Sequence, residues 1–208
     1  MKKIFVLFIL LGLFLTSYAS ATPVQFVTDF TNSGVILGGD TSDTTTVWGR
    51  VIGTASLNAT LSSTLGDENF TLGDGESYTF NFFDFNVDSE GFNFLAGGDF
   101  TVAATLAFLQ PDEADVTGTG SGVWGTLFGV ISGGCLHWAD MPNTFTLLDG
   151  NEISIDFADG MAITCGTTTV TATVKNNGGA APVPEPSTLI LLGAGLVVLA
   201  SFRKKFQK

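Results

Sequence analysis

Between Thr22 and Lys175 apolar and polar residues alternate in short runs closed by glycine, aspartate or asparagine, and no stretch keeps the 3.6-residue spacing of a helix. Period-two alternation sets one face of each run against a core and the other in water. Roughly seven to ten such runs without crossover helices predict an all-β chain, an antiparallel β-sandwich or jelly roll in a single domain. Early strands are expected at 47–52 and 56–65, the second with Leu57, Ala59 and Leu61 on one face. From Ser77 to Asp88 the apolar face slips at Phe82-Phe83, where Tyr78, Phe80, Phe82 give way to Phe83, Phe85, Val87, and a β-bulge would produce that slip. The run 99–109, read as the partner of that strand, turns Phe100, Val102, Ala104, Leu106 and Phe108 inward and stops at Pro111. Asp149-Gly150 between 144–148 and 152–157 is a hairpin signal for a primed turn, facing Phe145 and Leu147 toward Ile153, Ile155 and Phe157. A last strand at 167–175 carries Val170, Ala172 and Val174. Nineteen phenylalanines supply an aromatic core. Val-Trp-Gly recurs at 47–49 and 123–125, which is more simply coincidence than duplication.

Both ends have a different character. Met1-Lys2-Lys3, an apolar run from Ile4 to Leu15 and the small-x-small sequence Ala19-Ser20-Ala21 form a signal peptide over 1–21, cleaved after Ala21. Its apolar run falls short of the ~20 residues that a permanent span needs. The domain is expected over 22–175, followed by a linker and proline-rich stalk at 176–187 that contains Pro182-Val183-Pro184-Glu185-Pro186-Ser187. Closely spaced prolines keep such a stalk extended and open to a protease. Residues 188–208 are expected to hold a transmembrane helix and a basic tail. The uncharged stretch Thr188–Phe202 would span about 22 Å as a helix, against a hydrocarbon core of about 30 Å. Arg203, Lys204 and Lys205 would stay cytoplasmic and halt transfer, leaving 22–187 outside.

The order and spacing of VPEPST, LILLGAGLVVLASF and RKK resemble the PEP-CTERM sorting signal of Gram-negative bacteria. The resemblance is confined to about residues 182–208. It implies that an exosortase, a membrane-embedded protease, recognises Pro184, Glu185 and Pro186 and removes the tail, with Arg203 to Lys205 matching the basic stop. It also implies a producer of extracellular polysaccharide, with the chain anchored in the membrane before processing and then released to, or retained in, a surface or biofilm matrix. Exosortase and exopolysaccharide are thus the partners expected. The bland alternative is a single-pass membrane protein with a proline stalk. A Gram-positive sortase signal would want Leu-Pro-x-Thr-Gly, which is absent.

Between the ends, Arg50 and Lys175 face nineteen carboxylates, a formal charge of about −17. A body so acidic repels phosphate backbones and anionic membrane surfaces, so no nucleic-acid partner is expected. Its two cysteines, Cys135 and Cys165, would meet an oxidising compartment after export, and a disulfide between them is expected. Closing a loop of about 30 residues would contribute roughly 3–4 kcal/mol in the chain-entropy picture. The other reading of Cys135, a catalytic thiol, would need a base, and the single histidine, His137, lies two residues away.

Chemistry finds little support in the pattern. There is no Gly-x-Ser-x-Gly elbow, and His137 reads most simply as a half-buried strand residue. One histidine and two cysteines expected to be bridged do not make a zinc set. Asp84-x-Asn86-x-Asp88-x-Glu90 resembles the start of a calcium loop, but the sixth and twelfth positions, Ser89 and Leu95, are wrong for one. Asp84, Asp88 and Glu90 therefore stay weak calcium candidates, and no other cofactor is expected. Acids on the wet face of a strand are the simpler account. Paired carboxylates for glycoside hydrolysis cannot be selected from so many. Trp48, Trp124 and Trp138 could stack on sugars, though core positions are the simpler expectation. The sequence therefore predicts a secreted, non-enzymatic structural or interaction protein, with a carbohydrate-binding module or a polysaccharide hydrolase as alternatives.

Overall fold

The structure, a computed structural model, describes residues 22–111, 114–128, 131–159 and 167–179, with Gly193 and Gly195 as isolated positions. The strands fall in one unit, Thr22–Gly179. The expected signal peptide and the sorting motif lie outside the described residues, as does the expected membrane helix apart from Gly193 and Gly195. Among the described residues no helix is long and apolar enough to cross a membrane.

The chain is all-β, with every strand pair antiparallel. A small sheet pairs β1 (Val24–Thr28) with β5 (Asn69–Leu72) on one side and β8 (Phe108–Gln110) on the other. A four-stranded sheet runs in the order β10 (Ile131–Trp138), β9 (Val116–Leu127), β7 (Leu95–Leu106), β2 (Gly34–Gly39). A six-stranded sheet runs β11 (Asn143–Thr146), β12 (Asn151–Phe157), β13 (Thr167–Gly179), β6 (Ser77–Gly91), β4 (Arg50–Leu61), β3 (Ser42–Val47). A 3-10 turn at Leu65–Asp67 links β4 to β5.

The larger sheets face each other across aromatic rings. Phe85 of β6 meets Phe100 of β7 edge to face at 5.4 Å between centroids, and Trp138 of β10 packs on Phe157 of β12 at 5.1 Å. The slip at Phe82-Phe83 is a bulge: Val170 pairs with Phe83 and Thr171 with Asn81, so Phe82 is the extra residue and both rings are buried. The alternating set Phe100, Val102, Ala104, Leu106 and Phe108 is buried as expected. Its strand does not pair with β6, however. Alternation fixes which face is wet but not which strand lies alongside, and β7 instead pairs with β9 and β2 in the opposite sheet.

Room for so many rings comes from β9, whose core-facing positions include Gly118, Gly120 and Gly122. A Cβ on Gly118 would lie 3.0 Å from the Phe157 ring, on Gly120 3.1 Å from Trp138, and on Gly122 2.8 Å from Phe100. Each large ring thus occupies the space of a missing side chain on the facing strand.

Two boundaries depart from expectation. The 144–148 and 152–157 runs do form a hairpin, with Phe145 paired to Ile153, but only Gly150 in its turn has positive φ (89°), so the turn is not a two-residue primed one. The last strand continues through Gly179 into the expected linker, because Asn176 is fully buried there. Its amide donates to Leu72 O at 3.2 Å and its side-chain carbonyl accepts from Gly178 N at 2.9 Å.

Candidate interaction site at the hairpin tips

The β3–β4 hairpin turns on Trp48 and Gly49, with Val47 paired to Arg50 and positive φ at both turn residues (48° and 74°). That is the primed geometry that suits strand twist, normally given to Asn-Gly or Gly-Gly. A tryptophan there costs about 1–2 kcal/mol of backbone strain. The expected strand at 47–52 is thus a turn in its middle, and Trp48 is not a core residue: it is 100% exposed. Trp124 and Trp138 are buried as expected, their indole N–H groups donating to Asp40 O (2.5 Å) and Ala158 O (3.1 Å). The two Val-Trp-Gly copies therefore sit in unlike places, a turn and the interior of β9, which favours coincidence.

Beside this hairpin the β6–β7 turn presents Phe92 and Phe94, and the end of β9 presents Leu127 and Phe128. Phe94 and Phe128 meet edge to face at 5.2 Å, and Phe92 lies 6.3 Å from Phe128. Phe128, like Trp48, holds a positive φ (57°). Phe92 N donates to Ile52 O at 2.8 Å, which binds the β6–β7 turn to the β3–β4 hairpin. Asn93 is buried between them, donating to Thr54 O and Ser89 Oγ at 2.8 Å each and accepting from the Thr45 hydroxyl at 3.1 Å. Three hairpin tips thus bring exposed aromatic and aliphatic side chains to one end of the body. The sequence offered a weak signal for it, the Phe-Asn-Phe that follows Gly91.

The other candidates are placed differently. His137, expected half-buried, projects from β10 with its side chain 81% exposed, because it lies on the outer face of an edge strand. Its Nδ1 lies 3.1 Å from Asp159 Oδ2. The Trp138 backbone N–H, at 2.9 Å, and secondarily His137 hold the Asp159 carboxyl below its usual range. Cys135 is exposed on the same strand, and among the described residues no hydrogen bond joins it to His137, so no thiol–imidazole pair is formed. Its expected disulfide partner, Cys165, lies outside the described residues.

Asp84, Asp88 and Glu90 are not brought together as one ligand set. Asp84 accepts from the Thr169 hydroxyl (2.5 Å), and Asp88 accepts from Asn58 (2.8 Å) and Asn86 (2.7 Å). Asp88 and Glu90 instead line an open depression with Asp43, whose Oδ2 takes the Gly97 amide at 3.2 Å. Among the described residues no three acidic, histidine or cysteine side chains converge as a metal site. Asp40 and Asp99 share a second open depression on the four-stranded sheet.

These features define an all-β body with an aromatic end and a separate C-terminal address. That address is identified by comparison: residues 182–205 match the PEP-CTERM protein-sorting motif. The match covers Pro184, Glu185, Pro186 and the basic Arg203–Lys205, and it implies export, transient membrane anchoring of the C-terminus, and processing by exosortase. No curated protein and no solved structure matches the chain.

Proposed function

We propose that this chain is a non-catalytic component of the extracellular matrix or outer surface of a Gram-negative, exopolysaccharide-producing bacterium, delivered there by its sorting segment and built on a β-sandwich scaffold. The observation that carries the reading is the motif match at 182–205, which begins only three residues beyond the last residue of β13, Gly179. Four residues, Ala180 to Val183, separate β13 from Pro184, a reach of at most about 18 Å. Cutting at the motif, beyond the last strand residue Gly179, would release the β unit whole.

The reading of a non-enzymatic role rests on carboxylates engaged by structural partners: Asp84 accepts from the Thr169 hydroxyl, Asp88 from the Asn58 and Asn86 amides, and Asp159 from the Trp138 backbone N–H. In this oxidising location we also propose the Cys135–Cys165 disulfide.

The reading is tested by replacing Pro184, Glu185 and Pro186 with alanine in the producing host and following the β body by fractionation. The expected result is that the body shifts from the extracellular fraction to the inner membrane. Unchanged release of the triple variant would contradict sorting by this motif.

A further inference from the structure

We infer that the aromatic end of the body is a self-association surface, whose occupant is the same end of a second copy of this chain. The inference goes beyond the sorting reading and does not rest on it.

The size of the patch comes first. Trp48 is wholly exposed, and Phe92, Phe94 and Phe128 are 55%, 59% and 47% exposed. At ~150–250 Å² per aromatic side chain these four present roughly 400–650 Å² of apolar surface. Leu95, 69% exposed, and Leu127, its cross-strand partner, extend it. The largest apolar patch on an ordinary monomer is about 300–600 Å², and a standard interface buries about 800 Å² per partner. The aromatic rings thus offer about half to four-fifths of one side of such an interface, and Leu95 and Leu127 add to it.

Their chemistry then selects the occupant. A polysaccharide presents hydroxyls that need partners, yet the only amide side chain in the three tips, Asn93, is fully buried and bonded inward. That leaves Arg50 as the single exposed polar side chain of 47–51, 92–95 and 127–128. An anionic lipid surface is opposed by a body of about −17. The nineteen carboxylates would equally oppose side-by-side pairing of two bodies, but none lies in the tip segments. With Arg50 their one charged side chain and the exposed Glu90 the acid next to them in sequence, the tips are where two copies can meet with least repulsion, and a patch so largely apolar is complementary to itself, as a two-fold contact requires.

Position agrees. The chain enters the body at Thr22, whose carbonyl accepts from Asn151 Nδ2, and leaves it at Gly179, paired with Asn151. β6 runs from beside this exit, where Ser77 pairs with Lys175, to Gly91 next to the tips, 15 residues or roughly 45 Å away. Pairing through the tips leaves both chain exits unobstructed, at opposite ends of the pair, an arrangement that suits two released copies. The positive φ at Trp48 and Phe128 fits the same account, since strained aromatics held outward gain nothing within the monomer.

The test is sedimentation of the mature protein purified from its producing host, at about 1 to 100 μM, the range in which modest interfaces act. The expected result is a reversible dimer. Trp48→Asn, which removes no contact and keeps a residue tolerant of positive φ, should raise the dissociation constant at least about tenfold. The double variant Phe92→Ser/Phe94→Ser should be monomeric with an unchanged far-ultraviolet spectrum. A wild-type monomer throughout the range, or a Trp48→Asn dimer of unaltered affinity, would overturn the proposal. So would a monomer that co-sediments with a neutral polysaccharide or with zwitterionic vesicles, since either would identify a different occupant.

Discussion

Asn93 sits beneath the hairpin tips with its amide bonded to Thr54 O, Ser89 Oγ and Glu90 O and its carbonyl taking the Thr45 hydroxyl. Truncation to alanine takes this partner from two backbone carbonyls and two hydroxyls at once, so Asn93→Ala should cost about 1–3 kcal/mol, read as a lowered midpoint in urea. An unchanged midpoint would mean that the tips are not stapled through this amide. At this scale the sequence was legible where a side chain obeys its own strand. Phe82 and Phe83 announced a bulge because two adjacent phenylalanines cannot both reach the core on a regular strand. Trp48 was not legible. Valine and tryptophan favour strands, Gly49 was the lone turn signal, and nothing local says that a tryptophan will accept a left-handed φ in water. His137 was misjudged for a related reason: whether a strand is an edge depends on pairing partners that are distant in sequence.

Strand β9 makes the corresponding point for an element. Its Gly-Thr-Gly-Ser-Gly stretch, 118–122, alternates as faithfully as any apolar run, but the inward residues are glycines, and the apolar content of that face belongs to rings on other strands. Gly120→Val should therefore overpack the site against Leu136 and Trp138 and destabilise the body by about 1–3 kcal/mol or more, whereas Ser121→Val on the wet face should change stability by less than about 0.5 kcal/mol. Thermal unfolding of the two variants side by side makes the comparison, and equal effects would contradict the packing described. Period-two patterning read the existence of the strands well and their partners poorly. β7 was assigned to the side of β6 and lies across the core from it, because alternation carries no information about register or neighbour. The linker was placed too early for a similar reason: Asn-Asn-Gly-Gly reads as loop, yet Asn176 is buried and strapped to β5 through Leu72 O.

The whole molecule combines a folded β body with a C-terminal address that acts as linear sequence. A sorting signal is recognised by order and spacing, so residues 182–205 could be read directly, and a family match agrees with them. The body carries no such string, and its aromatic end emerges only when three hairpins distant in the chain are folded side by side. The central claim is that the chain is exported, cut beside the Pro-Glu-Pro motif and left outside as the β body. Intact-mass measurement of the protein from its native host, with and without the exosortase, tests this most directly. The account predicts a mass beginning near Thr22 and ending near Pro184–Pro186 when the enzyme is present, and a chain still carrying Arg203–Lys208 when it is absent. A mass that retains Arg203–Lys208 in both hosts would contradict it, leaving a plain membrane-anchored protein.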